Sequence, residues 1–322
     1  MRPNLARVVE PFSRGSLLAI VCALSACTRT LSLDDALTTV AYDLQASGRI
    51  LVDVLINDRG PYRFALDTAA SISLIFDDAR TELDLELVPD ASATVRGAIA
   101  SGRFPIVTIE RMQVGSEIWT DAEIVSLPSR TGTASRIDGI LGNDFLRRYG
   151  VGFSTRNRVV RLYLPDVVSA RAYRGWASIP LEPISVGATS EPLYYFDVTI
   201  GGRSIPALFD LGAGLNMINS SGARELRLVA VERNQGVLLS DAIENERILA
   251  RLSSEEVSTA GVRWRNEVFL IADLEIFETL RYEDRPLAIL GSGLFNQRDF
   301  VIDFVHNRLL VRVSMDEVED PS

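Results

Sequence analysis

The chain has 322 residues, of which 47% are hydrophobic and 24% charged, enough for two domains with buried cores. Its net charge of −10 argues against a nucleic-acid partner. It holds no lysine, one histidine (His306) and two cysteines (Cys22 and Cys27). These counts exclude a P-loop lysine, a Schiff-base lysine, a Ser–Lys dyad and a Cys/His zinc cluster, so neither metal nor cofactor is expected. Acid–base chemistry is left to carboxylates.

In chain order, Arg2, Arg7 and Arg14 precede the apolar run "SLLAIVCALSAC". The run has signal-peptide length and is short for a membrane span. It closes on "LSAC", which resembles the bacterial lipobox, where an apolar and two small residues precede a lipid-modified cysteine. That resemblance implies residues 1–27 as a lipoprotein signal peptide, Cys27 as the lipidated N-terminus and the cell envelope as location. The remaining chain then has no cysteine, and its stability must come from packing.

Beyond residue 37 short alternating runs bounded by Gly, Pro, Asn and Asp predict strands. "TVAYDL" and "RILVDVLI" flank the turn "QASG", and "NDRGP" turns into "YRFAL". Helices are expected at "DDARTEL", at "SGARELRL" and briefly after each "ILG". An internal repeat organises the rest. "VDVLINDRGPYRFALDTAAS" matches "FDVTIGGRSIPALFDLGAGL" with a one-residue gap, pairing Asp67 with Asp210. "DGILGNDFLRRYGVGFSTRNRVVRLY" matches "LAILGSGLFNQRDFVIDFVHNRLLVRV", pairing Gly142 with Gly291. The predicted units are an N-terminal lobe over 28–166, a linker over 167–177, a C-terminal lobe over 178–314 and an acidic tail over 315–322.

Each half therefore runs an apolar strand into Asp, then small residues, then Ile-Leu-Gly. Two carboxylates brought together share one proton, because like charges drive their pKa values apart. One can take a proton from water while the other gives one to a carbonyl oxygen. Aspartic proteases are the standard example of that pairing. The flanking strands would hold each Asp rigidly. Small residues after it would let the backbone turn and bring N–H groups to the carboxylate.

"FALDTAAS" and "ALFDLGAG", each followed by "ILG", resemble the active-site loops and hydrophobic-hydrophobic-Gly motifs of the bacterial retropepsin-like aspartic peptidases. The resemblance spans about residues 40–314. It implies an all-β fold of two homologous acid-protease-like β-barrel lobes, bilobal and pepsin/retropepsin-like, with a few short helices. It implies Asp67 and Asp210 as the catalytic dyad of an endopeptidase, with peptide or protein as substrate. Thr68, Ala69, Gly212, Gly142 and Gly291 then support the loops. "TVRGAIASGRFPIVTI", with Gly97 and Gly102, resembles a flap, and "NQGVLLSDAIENERILARL" takes its place in the second half. With both Asp residues in one chain, the active form is expected to be a monomer.

Two residues depart from Asp-Thr-Gly. Ala69 replaces the first glycine and would be strained at positive φ. Leu211 replaces the second threonine, so Thr68 would have to find a backbone partner or remain exposed at a small penalty. These departures motivate an alternative, a non-catalytic peptide-binding lipoprotein. A glycoside hydrolase is a third reading if the carboxylates stand about 5 Å or more apart. His306 is expected in a turn, and Asp138, Asp144 and Asp303 in structural roles, Asp144 as a cap or start of a short helix.

Overall fold

The computed structural model describes residues 35–96, 101–129, 136–169, 173, 175–186, 190–226, 230–233, 238–240, 245–247 and 250–313. Cys27, Gly97 and the acidic tail fall outside them. The first half runs β1 (Thr38–Leu44), β2 (Ile50–Ile56), β3 (Arg59–Leu66), β4 (Leu74–Phe76), α1 (Asp77–Glu82), β5 (Leu87–Arg96), β6 (Ser101–Val114), β7 (Glu117–Leu127), β8 (Gly139–Leu141), α2 (Asn143–Leu146), β9 (Gly150–Ser154) and β10 (Val159–Tyr163). Then follow α3 (Pro165–Ser169), β11 (Trp176–Pro180), β12 (Glu182–Ile184), β13 (Leu193–Ile200), β14 (Arg203–Asp210), β15 (Asn216–Ile218), α4 (Ser220–Glu225), β16 (Ala230–Arg233), β17 (Leu238–Ser240) and β18 (Asn245–Arg247). The chain ends through β19 (Ala250–Thr259), β20 (Val262–Ile271), α5 (Glu275–Thr279), β21 (Ala288–Gly291), α6 (Ser292–Phe295), β22 (Phe300–Asp303) and β23 (Arg308–Arg312).

Each half closes a barrel. In the first, β2-β3-β8-β4-β7-β6 are hydrogen-bonded in order and β6 returns to β2; in the second, β13-β14-β21-β15-β20-β19 do the same. The Ile-Leu-Gly strand is the wedge in both. β8 runs parallel to β3 (Ala65 opposite Ile140) and antiparallel to β4 (Leu74 opposite Ile140). β21 repeats this between β14 and β15, with Asp210 opposite Gly291 and Met217 opposite Ile289. The expected helices form as α1, α4, α2 and α6, and α3 and α5 are two further short ones. Helix α4 is capped by Asn219, whose Oδ1 accepts from Gly222 N–H at 2.8 Å.

A sheet of six strands joins the lobes in the order β1-β10-β9-β22-β23-β11. Its seam is β9 against β22, with Phe153 opposite Phe300 and their rings stacked at 4.3 Å. Three strands come from each half, so the sheet repeats the duplication about its centre. One apolar core runs through both lobes, including Phe145, Phe153, Phe209, Phe295 and Phe300. Tyr42 Oη donates to Asn296 Oδ1 (3.1 Å) and Asp299 accepts from Thr155 N–H (2.9 Å) across the same junction.

Candidate active site

Each Asp loop leaves a strand paired in parallel with its own Ile-Leu-Gly strand, and the two loops meet through Thr68. Asp67 follows β3, its N–H bonded to Leu141 O at 3.1 Å. Asp210 is the last residue of β14. The turns behind them are held alike. Asn143 N–H donates to Ala70 O and Ser292 N–H to Ala213 O, both at 2.8 Å. Gly142 N–H donates to Ser73 Oγ and Gly291 N–H to Asn216 Oδ1, both at 3.0 Å. Both motif glycines are needed for space. A Cβ on Gly142 would lie 2.7 Å from Ala70 O, and one on Gly291 2.5 Å from Ala213 O.

Thr68 is the direct link between the loops. It is fully buried; its hydroxyl donates to Phe209 O at 2.9 Å and accepts from Leu211 N–H at 3.0 Å. Both partners belong to the other lobe. A buried pair of this kind is worth about 0.5–1.5 kcal/mol per bond, and more is lost when its partners are left bare. Leu211, where a second threonine would stand, is fully buried in the shared core. The grip is therefore half hydrogen bond and half apolar packing. Ala69 is not among the residues at positive φ, so its Cβ brings no backbone strain.

Gly212 is the closest approach. A Cβ there would fall 2.2 Å from Asp67 Oδ2 and 2.3 Å from Asp67 Cγ. The glycine of one loop thus backs directly onto the carboxyl of the other. Asp67 Oδ1 accepts from Ala69 N–H at 2.8 Å, and Asp210 Oδ1 from Ala213 N–H at 2.8 Å. Burial pushes the Asp67 carboxyl above its usual range, against the pull of the Ala69 and Ala70 amides and of Arg49. Burial, and then the negative charge of Asp67, push Asp210 up to about 8. The Asp67 charge acting on Asp210 makes the pair lose its two protons in separate steps.

Several residues that the sequence reading did not single out build this region. Arg49, in the β1–β2 turn, donates from Nε to Gly212 O at 3.0 Å. Asn143 Nδ2 donates to Thr68 O (2.9 Å) and to Pro192 O (2.8 Å), tying the first loop to the second lobe. Ser292 Oγ lies 2.6 Å from Gly48 O, the matching tie in the other direction. The repeat contained the signal: with the offset that pairs Val52 with Phe196, Gly48 pairs with Pro192 and Arg49 with Leu193.

The candidate flap is a hairpin of β5 and β6, with Val95 opposite Gly102 and Arg96 opposite Ser101. Its tip, 97–100 with Gly97, lies outside the described residues. Gly102 is a strand residue beside the Phe104 ring, which a Cβ would meet at 2.6 Å. Ala93, Val95 and Phe104 of the hairpin pack in one cluster with Ile72 of the Asp67 loop and Ile140 of β8. In the second half, β16 pairs with β19 and a two-stranded ribbon, β17–β18, extends between them.

The remaining acids are structural. Asp138 is buried, accepts from Arg63 N–H at 2.7 Å and pairs with Arg136. Asp144 lies in α2, but the cap position is Gly142; Asp144 instead braces the loop, accepting from Ser73 N–H (2.8 Å) and Oγ (2.6 Å). Asp303 is buried under Arg308 Nε at 2.7 Å, with His306 in the adjoining turn.

Two closed barrels, each ending a strand in Asp beside an inserted Ile-Leu-Gly strand, define a two-lobed, retropepsin-like fold. The chain belongs to the aspartyl protease family, whose model matches it twice, over residues 52–145 and 196–293. Among curated proteins no sequence matches it.

Proposed function

We propose that the chain is an aspartic endopeptidase in which Asp67 and Asp210 form the catalytic dyad. The observation that carries this reading is the junction of the loops: Gly212 against the Asp67 carboxyl, with Thr68 bonded across to both sides of Asp210. Asp67 is the ionised member and takes a proton from a water held between the carboxyls. The water oxygen attacks the peptide carbonyl carbon as Asp210 gives its proton to the carbonyl oxygen. The neutral tetrahedral diol so formed then breaks its C–N bond. Asp67 returns the proton to the departing nitrogen, Asp210 recovers one from a diol hydroxyl, and a carboxylic acid and an amine leave.

The β5–β6 hairpin serves as flap over the first loop, and one chain suffices for activity. A peptide carrying a hydroxyethylene in place of the scissile bond should bind at least about 100-fold tighter than its plain analogue, as a transition-state mimic does. Equal affinities measured by calorimetry would instead favour the non-catalytic peptide binder.

For location, "LSAC" supports a lipid-anchored envelope protein with Cys27 as the modified residue. In a bacterial host, Cys27→Ser should move the protein from the membrane to the soluble fraction. An unchanged distribution would remove the anchor from the proposal.

A further inference from the structure

We propose that Arg49 is a positioning residue for this reaction: it pins the Asp210 loop where that loop meets the Asp67 carboxyl, and its charge favours the ionised member of the pair. The inference rests on the reading of Asp67 and Asp210 as the dyad.

Arg49 is held from several sides. Its Nε–H donates to Gly212 O at 3.0 Å, and the Cα of Gly212 faces the Asp67 carboxyl. The β1–β2 turn that carries it is tight: Gln45 N–H donates to Arg49 O at 2.9 Å. Gly48 has φ +90, and a Cβ there would lie 2.5 Å from Gly214 O. Ser292 Oγ lies 2.6 Å from Gly48 O. A first-lobe turn thus enters the second lobe's loop and carries a guanidinium with it.

The duplication supplies an internal comparison. At the matching position the second lobe has Leu193, 1% exposed, in an apolar cluster against which Ala69 and Ala213 pack. No cation reaches the pair from that side among the described residues. The elements packed around the loops carry few other charged groups. Asp144 of α2 is turned to Ser73, and Arg147, just after α2, pairs with Glu191 of the β12–β13 connection. Together with the loop amides, which are the larger influence, Arg49 pulls both carboxyls toward ionisation against burial. The reaction needs one carboxylate ionised, and burial alone opposes that.

The test compares Arg49→Gln, which can still donate to Gly212 O but has no charge, with Arg49→Lys, which keeps the charge. Asp carboxyl titrations are followed by carbon-13 NMR in the full chain, with Asp67→Asn and Asp210→Asn to assign the signals. The pH profile of kcat/KM on a peptide is measured in parallel. In Arg49→Gln the titrations of Asp67 and Asp210, and the acid limb of the profile, should move to higher pH; Arg49→Lys should restore them toward the wild-type positions. Arg49→Met is the second neutral variant if glutamine prevents folding. Titrations unchanged by loss of the charge, or moved alike by lysine and by a neutral residue, would overturn the proposal. If the wild-type protein cleaves no peptide, the dyad reading fails by itself, and the NMR titration still decides whether Arg49 acts on the two carboxyls.

Discussion

Asp67→Asn and Asp210→Asn should each lower kcat/KM for peptide cleavage by about 10⁴-fold, the upper end of what one acid–base group contributes. Asparagine keeps the shape but cannot exchange the proton, and the proposed cycle passes through both carboxyls. Cleavage by both variants at the wild-type rate would refute the dyad. Stability should move the other way for Asp210. Its folded-state pKa is raised, to about 8, whereas an unfolded Asp ionises at about 3.9. Between those values the unfolded chain has released its proton while the folded chain retains it, so wild-type stability falls as pH rises through the window. The carboxyl adds no pH dependence below about 4, where both states are protonated. Asp210→Asn has no such group. Its stability relative to wild type, from urea melts at successive pH values, should therefore increase from about pH 4 to about pH 8. A difference constant across the range would mean that the carboxyl ionises as freely in the fold as in water.

Gly212→Ala should reduce kcat/KM by at least about 100-fold in a protein that still folds. The added methyl would stand 2.2 Å from Asp67 Oδ2, so one of the two must move. The backbone has little room to move. Leu211 before it is buried in the core, and a Cβ on Gly214 would fall 1.4 Å from Ser47 O. The Asp67 carboxyl, the end of a side chain, is the part that can turn away. Displacing a reacting group by about 1 Å can cost about 100-fold in rate. A wild-type rate in a folded Gly212→Ala protein would show that the carboxyl position seen here is not the working one.

The architecture was legible because it is written twice. A lone apolar strand ending in Asp is an ordinary turn, whereas the repeated order of strand, Asp, small residues and Ile-Leu-Gly specifies two like barrels and selects Asp67 and Asp210. The six-stranded sheet between the lobes was not foreseen. Its strands look like any others, and nothing local tells β9 to pair with β22 some 150 positions away. Helices α3 and α5 escaped for the opposite reason, since five residues each are too few to establish a period. At the site, the loss of the second threonine leaves Thr68 either a backbone partner or none, and only the fold supplies Phe209 O and Leu211 N–H. Arg49 escaped because its role depends on a turn from one lobe entering the loop of the other. Its one trace in the sequence is a mismatch with Leu193 when the repeat is extended upstream of Val52.

The central sheet takes three strands from each half, and the hydrophobic interior is continuous through both. The halves consequently stay together as one cooperative body, without any requirement that their facing surfaces be self-complementary. An assembly of two identical chains must place every residue on both sides of its axis, so a mutation useful on one side is imposed on the other. Covalent fusion lifts that constraint. Thr68 opposite Leu211, and Arg49 opposite Leu193, are differences that a symmetric pair of subunits has no means to encode, and they set Asp67 and Asp210 in unequal surroundings.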